Sequence, residues 1–236
     1  MTKGMTKTQI LKVLNNIFDR TSSTEFKINA DGTIDTVYTG SDSGIAYTVT
    51  EANAKTTKIP FSFNKADGVF KCNMLGLTTL ENSPKIVTSN FNCSHNELKS
   101  LEYGPEVVGG EYWCINNELT TLSGSPEKTH GFFCSKNQLK SLEGGPLEVT
   151  KEFNCRENPL TSLKGMPERV GEIFILGWND NLPLLSLLKY NRVSVHFNNT
   201  VDDILEKYVG KKPLRPAIIQ CQKDLIDAGF KGNALL

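Results

Sequence analysis

The sequence predicts an α+β repeat solenoid: about six coils of 20–21 residues with short parallel strands, capped by small α/β segments at both ends. Three observations predict it. Cys72, Cys93, Cys114, Cys134 and Cys155 are spaced by 21, 21, 20 and 21 residues. An aromatic precedes each by two positions, at Phe70, Phe91, Tyr112, Phe132 and Phe153. A proline ladder, Pro84, Pro105, Pro126, Pro146 and Pro167, keeps the same period.

The rest of the unit follows in register. Three residues after the cysteines come Asn96, Asn117, Asn137 and Asn158, with Leu75 in the first unit instead. A sixth unit continues as Phe174, Leu176 and Asn179. Leu77, Leu98, Leu119, Leu139 and Leu160 are each followed three residues on by Leu80, Leu101, Leu122, Leu142 and Leu163. Three residues past the prolines stand Val87, Val108, Val149 and Val170, with Thr129 as the exception. The unit F-x-C-x-x-N-x-L-x-x-L-x-x-x-P-x-x-V-x-x-x is a leucine-rich repeat, L-x-L-x-x-N-x-L, with an aromatic and a cysteine in the first two apolar slots. F-x-C reads as a strand with both side chains inward, because strand side chains alternate. Cysteine serves there as a small buried hydrophobe. Asparagine, at the turn, has an amide that bonds neighbouring coils. Proline imposes an extended return path, since 21 residues leave no room for a full helix. At about 4.8 Å per strand, six coils form a parallel sheet about 30 Å long.

The run FNCSHNELKSLEYGPEVVGG resembles repeats of uncharacterised leucine-rich-repeat proteins of large tailed bacteriophages, and also the shorter repeats of bacterial leucine-rich-repeat effectors. KINADGTID and QCQKDLIDAGF look like the phage family's flanks, so the resemblance covers nearly the whole chain. It implies a fold and a viral origin, with no established activity. The chain departs from the pattern at residues 39–57, which read as an insertion, and at Leu75.

Residues 1–57 are expected to form an N-terminal cap, 58–181 the solenoid and 182–236 a helical C-terminal cap. In the first cap, residues 6–20 read as an amphipathic helix with Ile10, Leu11, Leu14, Ile17 and Phe18 on one side. FKINADGTIDTVY is a hairpin around Asp31-Gly32, and GIAYTVTEA a further strand. In the last cap, LPLLSLLKY reads as helical and VSVHF as a strand. Thr200 is the expected N-cap of a helix carrying Ile204, Leu205 and Val209 and closed by Gly210. Pro216 is expected to begin another, with Ile218, Ile219, Cys221, Leu225 and Ile226 apolar and Gly229 at its end.

The chain has 26 basic and 26 acidic residues, a formal net charge of zero, which argues against a dedicated nucleic-acid binder. No run reaches the ~18 apolar residues of a membrane span. MTKGMTKTQILKVLNN lacks the features of a signal peptide, so a cytoplasmic location (the host cytoplasm for a phage protein) and reduced thiols are expected. No H-E-x-x-H, C-x-x-C, G-x-x-x-x-G-K-[ST] or G-x-G-x-x-G segment is present. A single-file cysteine ladder does not converge on a metal, so no metal, no cofactor and no catalytic residue is expected. His95 reads as a surface turn residue.

The expected site is the concave outward face. Between the aromatic and the cysteine stand Lys71, Asn92, Trp113, Phe133, Asn154 and Ile175; Ile115 and Arg156 follow cysteines, and Glu111 precedes Tyr112. Trp113, Ile115 and Phe133 form an apolar cluster with polar surroundings, the composition of a protein-binding patch. Residues 39–57 are the segment of this chain that could instead cover it. The expectation is therefore a non-enzymatic interaction module that binds a host bacterial protein, for example a defence or regulatory factor, and inhibits or redirects it. The alternative is a structural or assembly component that self-associates through Trp113 and Phe133. The stripe Glu81, Glu102 and Glu143 reads as a solvated edge.

Overall fold

The computed structural model describes residues 5–20, 24–38, 44–47 and 57–235. The strands Val69–Lys71, Phe91–Asn92, Tyr112–Trp113, Phe132–Phe133, Glu152–Asn154 and Ile173–Gly177 pair in parallel, one per coil. Phe18–Arg20 and Gly44–Tyr47 extend this sheet at one end and Val193–His196 at the other, for nine strands among the described residues. Among the described strands of this sheet only the pairing of Phe18–Arg20 with Gly44–Tyr47 is antiparallel. The chain is thus the expected α+β leucine-rich-repeat-like solenoid.

The register places aromatic on aromatic: Phe70, Phe91, Tyr112, Phe132, Phe153 and Phe174 pair in succession. Their ring centroids lie 5.0–6.0 Å apart and every ring is fully buried. Such contacts add to the hydrophobic stabilisation of burying the rings themselves. Phe63 continues the column beyond Phe70 at 5.3 Å, and Tyr190 continues it beyond Phe174 at 5.1 Å. The five ladder cysteines are fully buried and free. Cys93, Cys114 and Cys155 each point Sγ–H at a backbone carbonyl of the next coil, 3.4 Å away.

The asparagines bind one coil to the next. Asn96, Asn117, Asn137 and Asn158 accept from the backbone amides of Leu77, Leu98, Leu119 and Leu139, one coil earlier. Each side-chain amide donates to two cysteine carbonyls, that of its own coil and that of the preceding one. This works because each asparagine follows a residue in left-handed backbone: His95, Asn116, Lys136 and Glu157 have φ of 55–59°. That conformation costs about 1 kcal/mol or more in a residue other than glycine, and the bonds it permits offset the cost. Asn179 does not join the ladder. Its Oδ1 accepts from the Asn181 amide, closing a local turn where the chain leaves the repeat.

The extended return path carries its own strands, which the sequence reading did not assign. Ile86–Val87 and Val107–Val108 belong to a five-stranded sheet with Thr24–Ile28, Ile34–Tyr38 and Phe63–Ala66. Lys128–Thr129, Glu148–Val149 and Arg169–Val170 form a three-stranded sheet. Val87, Val108, Val149 and Val170 point inward. Thr129 replaces valine in the coil where the stretch to the next aromatic is one residue shorter. Its buried hydroxyl donates to the carbonyls of Gly110 and Gly131, which gives the departure a physical reason.

The N-terminal helix runs Lys7–Ile17, with a Thr6–Gln9 capping box. Ile10 and Leu14 are buried and Leu11 and Ile17 partly so. Phe18, expected in the helix, begins a strand and packs its ring on Phe63 at 5.2 Å. The hairpin pairs Thr24–Ile28 with Ile34–Tyr38 around Gly32, φ 85°, and leads into the return-path sheet. The stack begins ahead of the first full unit, because Ile59, Phe63 and Ala66 stand 21 residues before Leu80, Pro84 and Val87 and are buried with them.

At the other end, Leu184–Lys189 is a 3₁₀ helix, and Val193–His196 pairs in parallel with Ile173–Gly177. The next helix, Asn199–Glu206, is capped by Asn198, whose Oδ1 accepts from Val201 N–H; the expected cap, Thr200, lies inside it. The last helix is Leu214–Asp227, beginning two residues before Pro216. It buries Ala217, Cys221 and Leu225, while Ile219 and Ile226 face out. It ends in a Schellman pattern at Gly229, φ 92°, as bonds from Gly229 N–H to Ile226 O and Phe230 N–H to Leu225 O show. Among the described residues no helix is long and apolar enough to cross a membrane.

Candidate functional site

Alternation along the strands decides what the nine-stranded sheet presents. Tyr112 and Cys114 are fully buried while Trp113 and Ile115 between and beyond them are partly exposed. The same holds for Phe133 between Phe132 and Cys134, and for Ile175 between Phe174 and Leu176. Trp113 and Phe133 are cross-strand partners with ring centroids 6.2 Å apart at 56°. Phe133 lies back over Gly131: a Cβ there would meet the ring at 2.7 Å. The short coil therefore supplies a side-chain-free floor that holds the ring down beside Trp113. Glu111, whose Cγ would be 3.2 Å from that Cβ, stands on the other side of the glycine.

The remaining expected residues frame this pair. Asn92 is the cross-strand partner of Trp113 on one side, and its Oδ1 accepts from Ser94 N–H. Lys71 is exposed one strand further on. On the other side Asn154 pairs with Phe133, but its side chain is 8% exposed and is held by Glu152, so it offers little free surface. Ile175 and Arg156 lie beyond it, partly exposed. The expected site is thus one continuous sheet face, with Asn154 committed to its neighbours.

The segment expected to cover this face falls largely outside the described residues. Its described strand, Gly44–Tyr47, joins the sheet edge beside Val69–Lys71, three strands from Trp113. His95 is exposed, with Nδ1 3.0 Å from the Asn116 side-chain amide. Glu81 and Glu143 pair with Lys58 and Lys164 in exposed bridges, which contribute little to stability.

The cysteines are poorly placed as nucleophiles. Burial pushes the thiols of Cys72, Cys93, Cys114, Cys134 and Cys155 well above the ordinary cysteine range, and that of Cys221 up to about 12. A nucleophilic cysteine needs the opposite shift. Among the described residues no three His, Cys, Asp or Glu side chains converge as metal ligands. A cleft of about 370 Å³ at the end of the return-path sheets is lined by Glu148, Arg169 and Lys189 around Tyr190. Glu148 pairs with both Lys128 and Arg169, and Lys189 Nζ donates to Pro167 O.

Compared with known proteins, the chain matches no family model, no curated protein and no solved structure.

Proposed function

We propose that this chain is a non-enzymatic protein-interaction module whose partner docks on the outward face of the nine-stranded sheet. The observation that carries the reading is the Trp113–Phe133 pair, two partly exposed aromatics side by side on a repeat scaffold. Aromatics displayed this way are the side chains that most often dominate binding energy, because a partner desolvates a large rigid surface at small entropic cost. Ile115 widens the apolar area, while Glu111, Asn92 and Lys71 supply a polar rim. The resemblance to bacteriophage repeats adds the kind of partner: a protein of the infected bacterium, met in its cytoplasm and inhibited or redirected by the encounter.

The test is a pull-down from bacterial lysate with wild type, Trp113→Ala and Phe133→Ala side by side. A host protein retained by wild type and lost from both variants supports the reading, provided both keep the wild-type circular dichroism and unfolding midpoint. Equal retention by all three refutes the assignment of this face. Light scattering over a range of concentrations separates self-association: a dimer that Trp113→Ala dissolves would make the second copy the partner.

A further inference from the structure

The two larger sheets end differently. Val193–His196 is the last strand of the nine-stranded sheet, and Arg192 O and His196 O accept from the amides of Phe174 and Trp178 beside it. Val195, between them, faces away from that neighbour. Its outer edge is closed within the chain: Asp202 Oδ1 accepts from Val195 N–H at 2.8 Å, and Asn198 N–H donates to Val195 O at 3.4 Å. The five-stranded sheet ends at Thr24–Ile28. In the neighbouring strand Thr36 O accepts from Asp67 N–H and Ile34 N–H donates to Ser62 O, so both residues face the far side. Their hairpin partners, Phe26 and Ile28, therefore turn their N–H and C=O groups to the outer edge, because antiparallel pairs alternate. Both residues are only partly buried, and among the described residues nothing closes this edge at either of them. A row of open amides and carbonyls is a template for another strand.

Glu25 and Lys27 alternate with these edge residues and are exposed. Neither forms an ion pair among the described residues. Glu25 stands opposite apolar Val37, and Lys27 opposite Asp35, whose Oδ1 is taken by the Asn64 side chain and the Lys65 amide. We infer that a second copy of this chain docks antiparallel on the Thr24–Ile28 edge, with the two-fold axis at Phe26. Edge-facing residues must meet edge-facing residues, so the axis passes through a residue. At Glu25 or at Lys27 it would oppose like charges, which destabilises a strand pair. At Phe26 it sets Glu25 against Lys27 of the second copy, and does so twice. Those pairs are the closer, non-hydrogen-bonded kind, while the two Phe26 residues exchange both of their backbone bonds. The segment is thus complementary to itself, as an isologous interface requires. The inference is independent of the docking face around Trp113, which belongs to the other sheet.

The experiment is sedimentation equilibrium of the full chain at low salt, from about 10 μM to about 1 mM, a range suited to an interface smaller than the standard size. Wild type should pass from monomer towards dimer over that range, and exchange of the Phe26 amide should slow as it does. Glu25→Lys and Lys27→Glu each replace two attractive pairs with two repulsive ones, and each should weaken the dimer at least about tenfold. An equimolar mixture of the two variants should recover it, because each chain then meets the opposite charge on the other. Trp113→Ala should dimerise as wild type does. Both charged positions are exposed, so unfolding midpoints should be unchanged, and recovery in the mixture excludes damage to the fold. The inference is overturned if wild type stays monomeric throughout, if the single variants dimerise as wild type does, or if their mixture fails to recover the dimer. Loss of the dimer in Trp113→Ala would place self-association on the other sheet and overturn it too.

Discussion

Replacing Asn137 with alanine tests whether the asparagine ladder holds the coils together. Asn137 is 3% exposed. Its Oδ1 accepts from Leu119 N–H at 3.1 Å, and its Nδ2 donates to the carbonyls of Cys114 and Cys134 at 3.0 and 2.9 Å. The carbonyls do not become orphans, because Asn117 still reaches Cys114 and Asn158 still reaches Cys134. Leu119 N–H loses its side-chain acceptor, at about 2 kcal/mol for a buried donor. Two lost bonds to carbonyls add about 1 kcal/mol each. Asn137→Ala should therefore cost about 4 kcal/mol, read as a fall in the urea midpoint at constant slope. Asn158→Ala is the internal comparison: that residue is only half-buried, so water reaches the vacated groups and the loss should be about half as large. Asn137→Asp keeps the acceptor but aims a carboxylate at two carbonyls, so it should be no milder than alanine. A loss below about 1 kcal/mol for Asn137→Ala, or equal losses at 137 and 158, would refute the reasoning.

Tyr112→Phe should stabilise the protein by about 1 kcal/mol, because the buried hydroxyl has only the weak Cys93 thiol within reach and the other coils carry phenylalanine there; a lower melting temperature would contradict this. The folded protein should lose stability steeply above pH 9: burial raises all six thiols, so the unfolded chain releases protons first, and each thiol contributes about 1.4 kcal/mol per pH unit between its unfolded and folded values. That stability is fully present below the ordinary thiol pKa, and urea unfolding at pH 8, 9 and 10 checks the sign. Asn198→Ala should cost about 1 kcal/mol as a lost helix cap while Thr200→Ala is near neutral, which thermal unfolding distinguishes. Gly131→Ala should lift the Phe133 ring and weaken partner binding while the Trp113 strand keeps its pairing, as calorimetry and amide exchange would show.

Period was legible in the residues because each coil repeats the same few inward positions, and a 21-residue recurrence of aromatic, cysteine, asparagine and leucine admits few other folds. The face bearing Trp113, Phe133, Ile115 and Ile175 was legible for the same reason, since strand alternation makes every residue between two core positions point outward. Local chemistry at the ends was harder. Asn198 and Thr200 are both good caps, and only the position of His196 in the sheet decides which residue starts the helix. Phe18 fits a helical stripe as well as a strand, and its packing on Phe63 settles the matter.

By itself, then, the sequence determined the repeat, the inward column of rings and thiols, and the outward aromatic pair, because all three follow from periodicity along one chain. Only the tertiary structure decided that Asn179 leaves the ladder, that Asn154 is tied down by Glu152, and that His196 stands beside Gly177. Those outcomes depend on which residues lie side by side once separate coils stack, and residues of different coils carry no common local signal until their strands are in register.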